Sequence, residues 1–234
     1  KFKSLEEAKV TVKEAAISDA KIIEAFLSRP EIDSLFVPPL SDPTRGISIQ
    51  DRVRKKLNDG RWIIALRNNT VVGCMAIVPA RITQAAEKPK KDTEISKGIS
   101  LDGWNKNEVW ELSTVVVDQK LSKEEGVKGI SDTLFEQAKQ WVTTRGSQAG
   151  LITDSWIGGA MGGFVARMNQ KVKNDAPDTL IRIYSDPLKR GEDGPPTVIY
   201  GIPVDKEGWN FFGSQEKEIA KLREDYEELK NKFH

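Results

Sequence analysis

Histidine and cysteine are almost missing from this chain of 234 residues: each occurs once, as His234 at the last position and as Cys74. A lone terminal histidine leaves nothing on which to build a Ser-His-Asp triad, a Cys-His dyad or a His-rich zinc site, and no metal is expected. A lone cysteine excludes an intramolecular disulfide. Cys74 lies in the apolar run Val71-Val72-Gly73-Cys74-Met75-Ala76-Ile77-Val78 and reads as an inert core thiol on a strand. That usage suits a reducing compartment, the cytoplasm.

Long apolar runs are also lacking. None approaches the ~20 residues of a membrane helix, so no membrane partner is expected. The opening Lys1-Phe2-Lys3-Ser4-Leu5-Glu6-Glu7 is too charged for a secretory leader, and the chain begins without Met, as a trimmed or processed chain would. Charge of one sign is lacking too. With 36 Lys+Arg against 35 Asp+Glu, the bulk attraction to nucleic acid disappears, although a local basic patch stays open.

What remains is an ordinary globular composition, long enough to bury roughly 70–75% of its unfolded surface without staples. Residues 9–15 alternate like a strand. Ser18-Asp19 caps a helix with Ile22, Ile23, Phe26 and Leu27 on its apolar face. Pro30, Pro38, Pro39 and Pro43 break the next stretch into an irregular loop. A helix over 49–58 stops at Asp59-Gly60. Strands 61–67 and 70–82 flank Asn68-Asn69, a hairpin signal. The polar stretch 83–107 is long for a bare connection and reads either as a functional loop or as a surface insertion.

A strand over 108–118 precedes a helix opening near Gly126, with Ile130, Leu134, Ala138 and Trp141 on one stripe. A short strand over 151–155, a glycine-rich helix over 158–173 and strands over 180–185 and 197–204 close the domain. In the tail, 214–234, Ile219, Leu222, Tyr226, Leu229 and Phe233 form an a/d stripe of about two heptads. It serves either to pack on its own domain or as a homodimer contact. The pattern implies a mixed α/β fold, with one domain over 1–213 and a C-terminal helix.

Chemistry concentrates where the 108–118 strand runs into Gly126-Val127-Lys128-Gly129-Ile130-Ser131. The first turn of a helix carries unpaired N–H groups and a partial positive charge. Glycine lets a phosphate approach that backbone, and Lys128 adds a cation, so the loop suits a pyrophosphate. It is neither a Walker loop nor the three-glycine dinucleotide fingerprint.

Glu111-Leu112-Ser113-Thr114-Val115-Val116-Val117-Asp118 followed by the glycine loop resembles the acetyl-CoA-binding core of the GNAT N-acetyltransferase superfamily. That pattern is a strand ending in an apolar-Val-Asp step, then Gln/Arg-x-x-Gly-x-Gly/Ala. Gly129 matches it. Gly126 stands in place of Gln/Arg, Ser131 in place of the last Gly/Ala, and extra residues separate Asp118 from the loop. The element order over 9–204 also resembles the family.

The resemblance implies a mixed, mostly antiparallel central sheet flanked by helices. It implies an enzyme that moves an acetyl group from acetyl-CoA to a primary amine of a small molecule or protein. The N–H groups of Val127, Lys128, Gly129, Ile130 and Ser131 would bind the pyrophosphate. The pantetheine arm would pair with the strand at Val115, Val116 and Val117, and an N–H near Val115 would stabilise the oxyanion. An amine of pKa about 10.4 arrives protonated, so a base is needed. Glu111 is that candidate, sharing a strand face with Ser113 and Val115. Its other reading is an edge carboxylate paired with a nearby cation.

Many family members protonate the leaving thiolate with a tyrosine on the next helix. Here Phe164 stands at that place, with Tyr184 and Ser155 as substitutes. The smooth face made by Gly158, Gly159, Gly162 and Gly163 reads as close packing or as room for the CoA arm. The acceptor pocket should lie between the Pro38–Gly46 loop, the 83–107 insertion and the last hairpin. Trp104 and Trp110 at its rim serve as packing or as a substrate platform. The alternative reading is a catalytically silent GNAT-like module that binds CoA or a protein partner.

Overall fold

The structure, a computed structural model, describes residues 2–36, 38–79, 109–145, 150–156, 182–184 and 197–202. The chain divides into two compact units, Lys1–Pro79 with Leu112–Trp141, and Ala80–Glu111 with Val142–His234.

In the first unit, strand β1 (Val10–Glu14) pairs antiparallel with β2 (Arg61–Arg67), and β2 with β3 (Thr70–Pro79). Asn68 and Asn69 turn the β2–β3 hairpin with φ of 49° and 60°. Two left-handed residues match the twist of the flanking strands, and asparagine tolerates that region best after glycine. Strand β4 (Val109–Val117) follows β3 in the order β1-β2-β3-β4.

Helices α1 (Ala20–Leu27) and α3 (Ile49–Asp59) supply the core on one side of these strands. Ile23, Phe26 and Leu27 meet Val53 and Leu57, together with Trp62, Ile64, Cys74, Ala76 and Val116 from the strands. Trp62, Ile63, Ile64 and Ala65 are all buried, as is every residue from Val71 to Val78. A strand covered on both faces needs such an unbroken apolar run. Ser48 caps α3 by accepting the Asp51 N–H at 3.0 Å. Gly60 stands at its C-cap, where only glycine fits, because a Cβ there would sit 1.9 Å from the Ile77 carbonyl oxygen.

The structure corrects several boundaries. A 3₁₀ turn, Ile17–Asp19, precedes α1, and the Asp19 carboxylate accepts the Ala16 N–H instead of capping that helix. Pro30 opens a short helix, α2 (Pro30–Asp33), at the position where its missing N–H costs nothing. A further helix, α4 (Gln119–Lys123), fills the stretch between Asp118 and the glycine loop. Helix α5 (Ile130–Thr143) starts after Gly129, not near Gly126, and β3 ends at Pro79. The expected stripe of Ile130, Leu134, Ala138 and Trp141 is buried.

In the second unit, residues 109–111 of β4 pair in parallel with β5 (Gly150–Trp156), from Val109↔Gly150 to Glu111↔Ile152. Strand β5 pairs antiparallel with β7 (Thr197–Ile202), and β7 with β6 (Arg182–Tyr184), in the order β4-β5-β7-β6. The 83–107 insertion, Trp104, the glycine-rich segment with Phe164 and the 214–234 tail lie outside the described residues.

Candidate functional site

Strand β4 has two faces of different character. Leu112, Thr114 and Val116 are buried, whereas Glu111, Ser113, Val115 and Val117 are half-buried. The period of two places Glu111, Ser113, Val115 and Val117 together on the less covered face. On the packed face the Lys56 ammonium, from α3, donates to the Thr114 hydroxyl. It also lies 5.6 Å from the centroid of the Trp62 ring.

Asp118 fixes the point where the chain leaves β4. Its N–H donates to the Val72 carbonyl at 2.8 Å. Its carboxylate accepts the Lys120 N–H at 3.0 Å, capping α4, and the Arg29 guanidinium at 3.3 Å. Backbone, cap and ion pair thus hold one residue from three directions.

The glycine loop follows α4. Gly126 and Gly129 have φ of 70° and 90°, a region that side chains disfavour. The Gly129 carbonyl accepts the Thr133 N–H at 2.9 Å, so Gly129 stands at the cap position of α5. Ile130 and Ser131 are the first helical residues, whose N–H groups helix geometry leaves without an intrahelical acceptor. A Cβ built on Gly129 would meet nothing within 4 Å, so the approach to this turn is open.

Not every N–H of the loop faces outward. Val127 donates to the Leu121 carbonyl at 3.0 Å, and Lys128 to the Lys3 carbonyl at 3.3 Å. Lys3 in turn donates to the Gly126 carbonyl at 3.0 Å, forming a parallel bridge opposite Val127. Of the five residues singled out from the sequence, Gly129, Ile130 and Ser131 offer the groups best suited to an anion. The Lys128 ammonium sits over the Phe2 ring. Beside the loop, Glu125 takes the Arg67 guanidinium at 2.8 Å. That hydrogen bond, with help from the charge of Lys3, holds the Glu125 carboxyl below the usual range.

Gly73 on β3 sets how close α5 comes. A Cβ there would lie 3.1 Å from Ile130 Cγ2, 3.3 Å from Val117 Cγ2 and 3.4 Å from Leu134 Cδ1. The end of β4 and the first residue of α5 are therefore gathered over one glycine.

A surface cavity of about 460 Å³ opens between Glu24 of α1, Leu40, Asp42 and Pro43 of the proline-rich loop, and Ser48 and Ile49 at the start of α3. This lies along one of the three expected walls of the acceptor pocket. Cys74 is fully buried, as read from the sequence, and burial pushes its thiol well above the usual range.

Sequence reasoning missed Lys56, although a lysine three residues after Val53 and next to Leu57 on an amphipathic helix is a signal of a buried cation. It also missed the Phe2-Lys3 contact with the loop, for which no local pattern exists.

No protein-family model and no curated protein matches the chain. Solved structures do. The N-acetyltransferase from Staphylococcus aureus Mu50 is similar with a TM-score of 0.53 at 13% identity, covering 84% of this chain and 99% of that one. Aminoglycoside 6'-acetyltransferase type Ii gives 0.51 at 15%, covering 83% and 97%. A GNAT-family acetyltransferase from Streptococcus pneumoniae gives 0.50 at 16%, covering 82% and 97%. The chain has the GNAT fold. The mixed sheet with flanking helices read from the sequence is thus the architecture observed. In this GNAT fold, β4 and the turn into α5 carry the residues that the sequence singled out.

Proposed function

We propose that the protein is an acetyl-CoA-dependent N-acyltransferase, transferring an acetyl group to a primary amine of a small molecule or protein by direct attack on the thioester. The observation that carries this reading is the turn at Gly129. It presents the N–H groups of Ile130 and Ser131 at the start of a fourteen-residue helix, with open space where a side chain would stand. Those groups, with the helix dipole behind them, suit a pyrophosphate.

Acetyl-CoA supplies the activated acyl group. The chain's own residues do the rest. Gly129, Ile130 and Ser131 would hold the pyrophosphate, with Lys128 as a nearby cation and Val127 bracing the turn. Main-chain groups of Val115 and Val117 would align the pantetheine arm, and Val116 anchors that stretch in the core. The Val115 N–H would face the negative charge that develops on the acyl oxygen. Glu111 would take the proton of the amine, an assignment resting on its place along the half-buried face of β4. We place the protein in the cytoplasm, a reading that rests on its single, buried cysteine.

The test is release of free thiol from acetyl-CoA in the presence of a panel of primary amines. Thiol release that depends on an added amine is the expected result. A protein that binds CoA but releases no thiol with any amine would be a silent binding module instead.

A further inference from the structure

Phe2 is 67% exposed, one of three large apolar side chains so placed among the described residues. Unlike a frayed terminal side chain, it is held in position. Its neighbour Lys3 makes two main-chain hydrogen bonds across the glycine loop, to Gly126 and from Lys128, and bridges Val127 in parallel. The Lys128 ammonium lies 3.2 Å from the centroid of the Phe2 ring, covering one face. With the residue two-thirds exposed, much of the ring stays open to solvent.

We propose that this open face of Phe2 is a stacking platform for the adenine base of a CoA-type nucleotide, a proposal that rests on the acetyl-CoA reading above. The chemistry fits. In such a nucleotide the base is one ribose away from the pyrophosphate. The platform belongs to the segment that pairs with Gly126–Lys128, immediately before the residues offered to that pyrophosphate. A cation on one face of the ring draws its π density to that side, which makes the other face a better partner for an electron-rich purine. Stacking on an aromatic ring needs no hydrogen-bond partners, so one exposed side chain can supply it.

The competing reading is that Phe2 merely parks Lys128 away from the ligand. The two readings differ in sign. A platform loses affinity when the ring is removed; a parking site gains it, because the freed ammonium turns to the phosphate.

The experiment is titration calorimetry of the full chain, parent and Phe2→Ala, with CoA and with 4'-phosphopantetheine, which lacks the adenosine 3',5'-bisphosphate portion and so presents no base to stack. The proposal expects Phe2→Ala to weaken CoA by roughly 5- to 100-fold, the range seen when a stacked aromatic is removed. It expects 4'-phosphopantetheine to bind both proteins alike. Phe2→Trp should keep parent affinity and show fluorescence quenching on CoA addition beyond that of the parent. Unchanged or tighter CoA binding by Phe2→Ala overturns the proposal, as does an equal loss for both ligands, while leaving the acetyl-CoA reading standing. A parent protein that binds no CoA removes that reading and the platform together.

Discussion

Lys56 and Thr114 meet inside the protein, the ammonium of α3 donating to a hydroxyl on the packed face of β4, with 6% and 3% of their surfaces exposed. A buried ammonium tolerates this position because partners satisfy it. Thr114→Val keeps the shape and removes one of them, and should cost about 1–3 kcal/mol. Adding Lys56→Met removes the buried charge itself, so the double variant should be more stable than Thr114→Val alone. Urea unfolding of the four proteins of the cycle measures the coupling, and additive effects would show that the pair does not interact.

Gly129 combines a left-handed backbone with an open approach. Gly129→Asp places a carboxylate where the pyrophosphate is proposed to sit. It should abolish CoA binding while costing the fold only about 1–2 kcal/mol of backbone strain. Calorimetry and a thermal melt of the same sample separate the two effects. A folded Gly129→Asp protein with parent affinity would remove the turn from the site.

The Arg67–Glu125 pair gives a pH signature beside that turn. The folded carboxyl is held below its unfolded value by the Arg67 hydrogen bond. Its contribution to stability is therefore present above the ordinary glutamate range, about 4.3, and is lost as pH falls through the folded value. Glu125→Gln should lower the melting temperature slightly near neutral pH and not at all in strong acid. Because the pair is exposed, added salt should shrink the neutral-pH difference.

Glu111→Gln tests the base. Turnover should fall by roughly 10²–10⁴-fold while CoA affinity stays close to that of the parent. What activity remains should rise with pH, as the fraction of neutral amine grows. Parent turnover at neutral pH in the Gln variant would take Glu111 out of the reaction.

Cys74 should resist thiol reagents in the native protein, since burial both shields it and disfavours its thiolate. Labelling should become rapid only in denaturant, at a rate that follows unfolding. Fast native labelling would mean that β3 opens locally.

Much of this was legible in the residues. Strand and helix periods located β1 to β4, and the stripe of Ile130, Leu134, Ala138 and Trp141 gave the buried face of α5. The asparagine pair announced its hairpin because left-handed turns demand few residue types. The glycine loop was legible for the same reason. What escaped was short or non-local. Proline at the first helical position looks the same in sequence as proline that breaks a helix, so α2 has no signal that sets it apart from a loop. Helix α4 spans five residues, too few to show a period. The Lys56–Thr114 bond and the docking of Phe2-Lys3 on the loop join distant parts of the chain, and neither hydropathy nor spacing encodes such a meeting.

Gly73 and Gly129 lie on different elements but govern the two ends of one contact. The first lets Ile130 settle against β3, and the second turns the chain so that Ile130 can begin a helix. A methyl group at position 73 would push on Ile130, the first residue of α5. A side chain at position 73 would therefore be felt at the turn that Gly129 makes, although the two glycines stand on different elements.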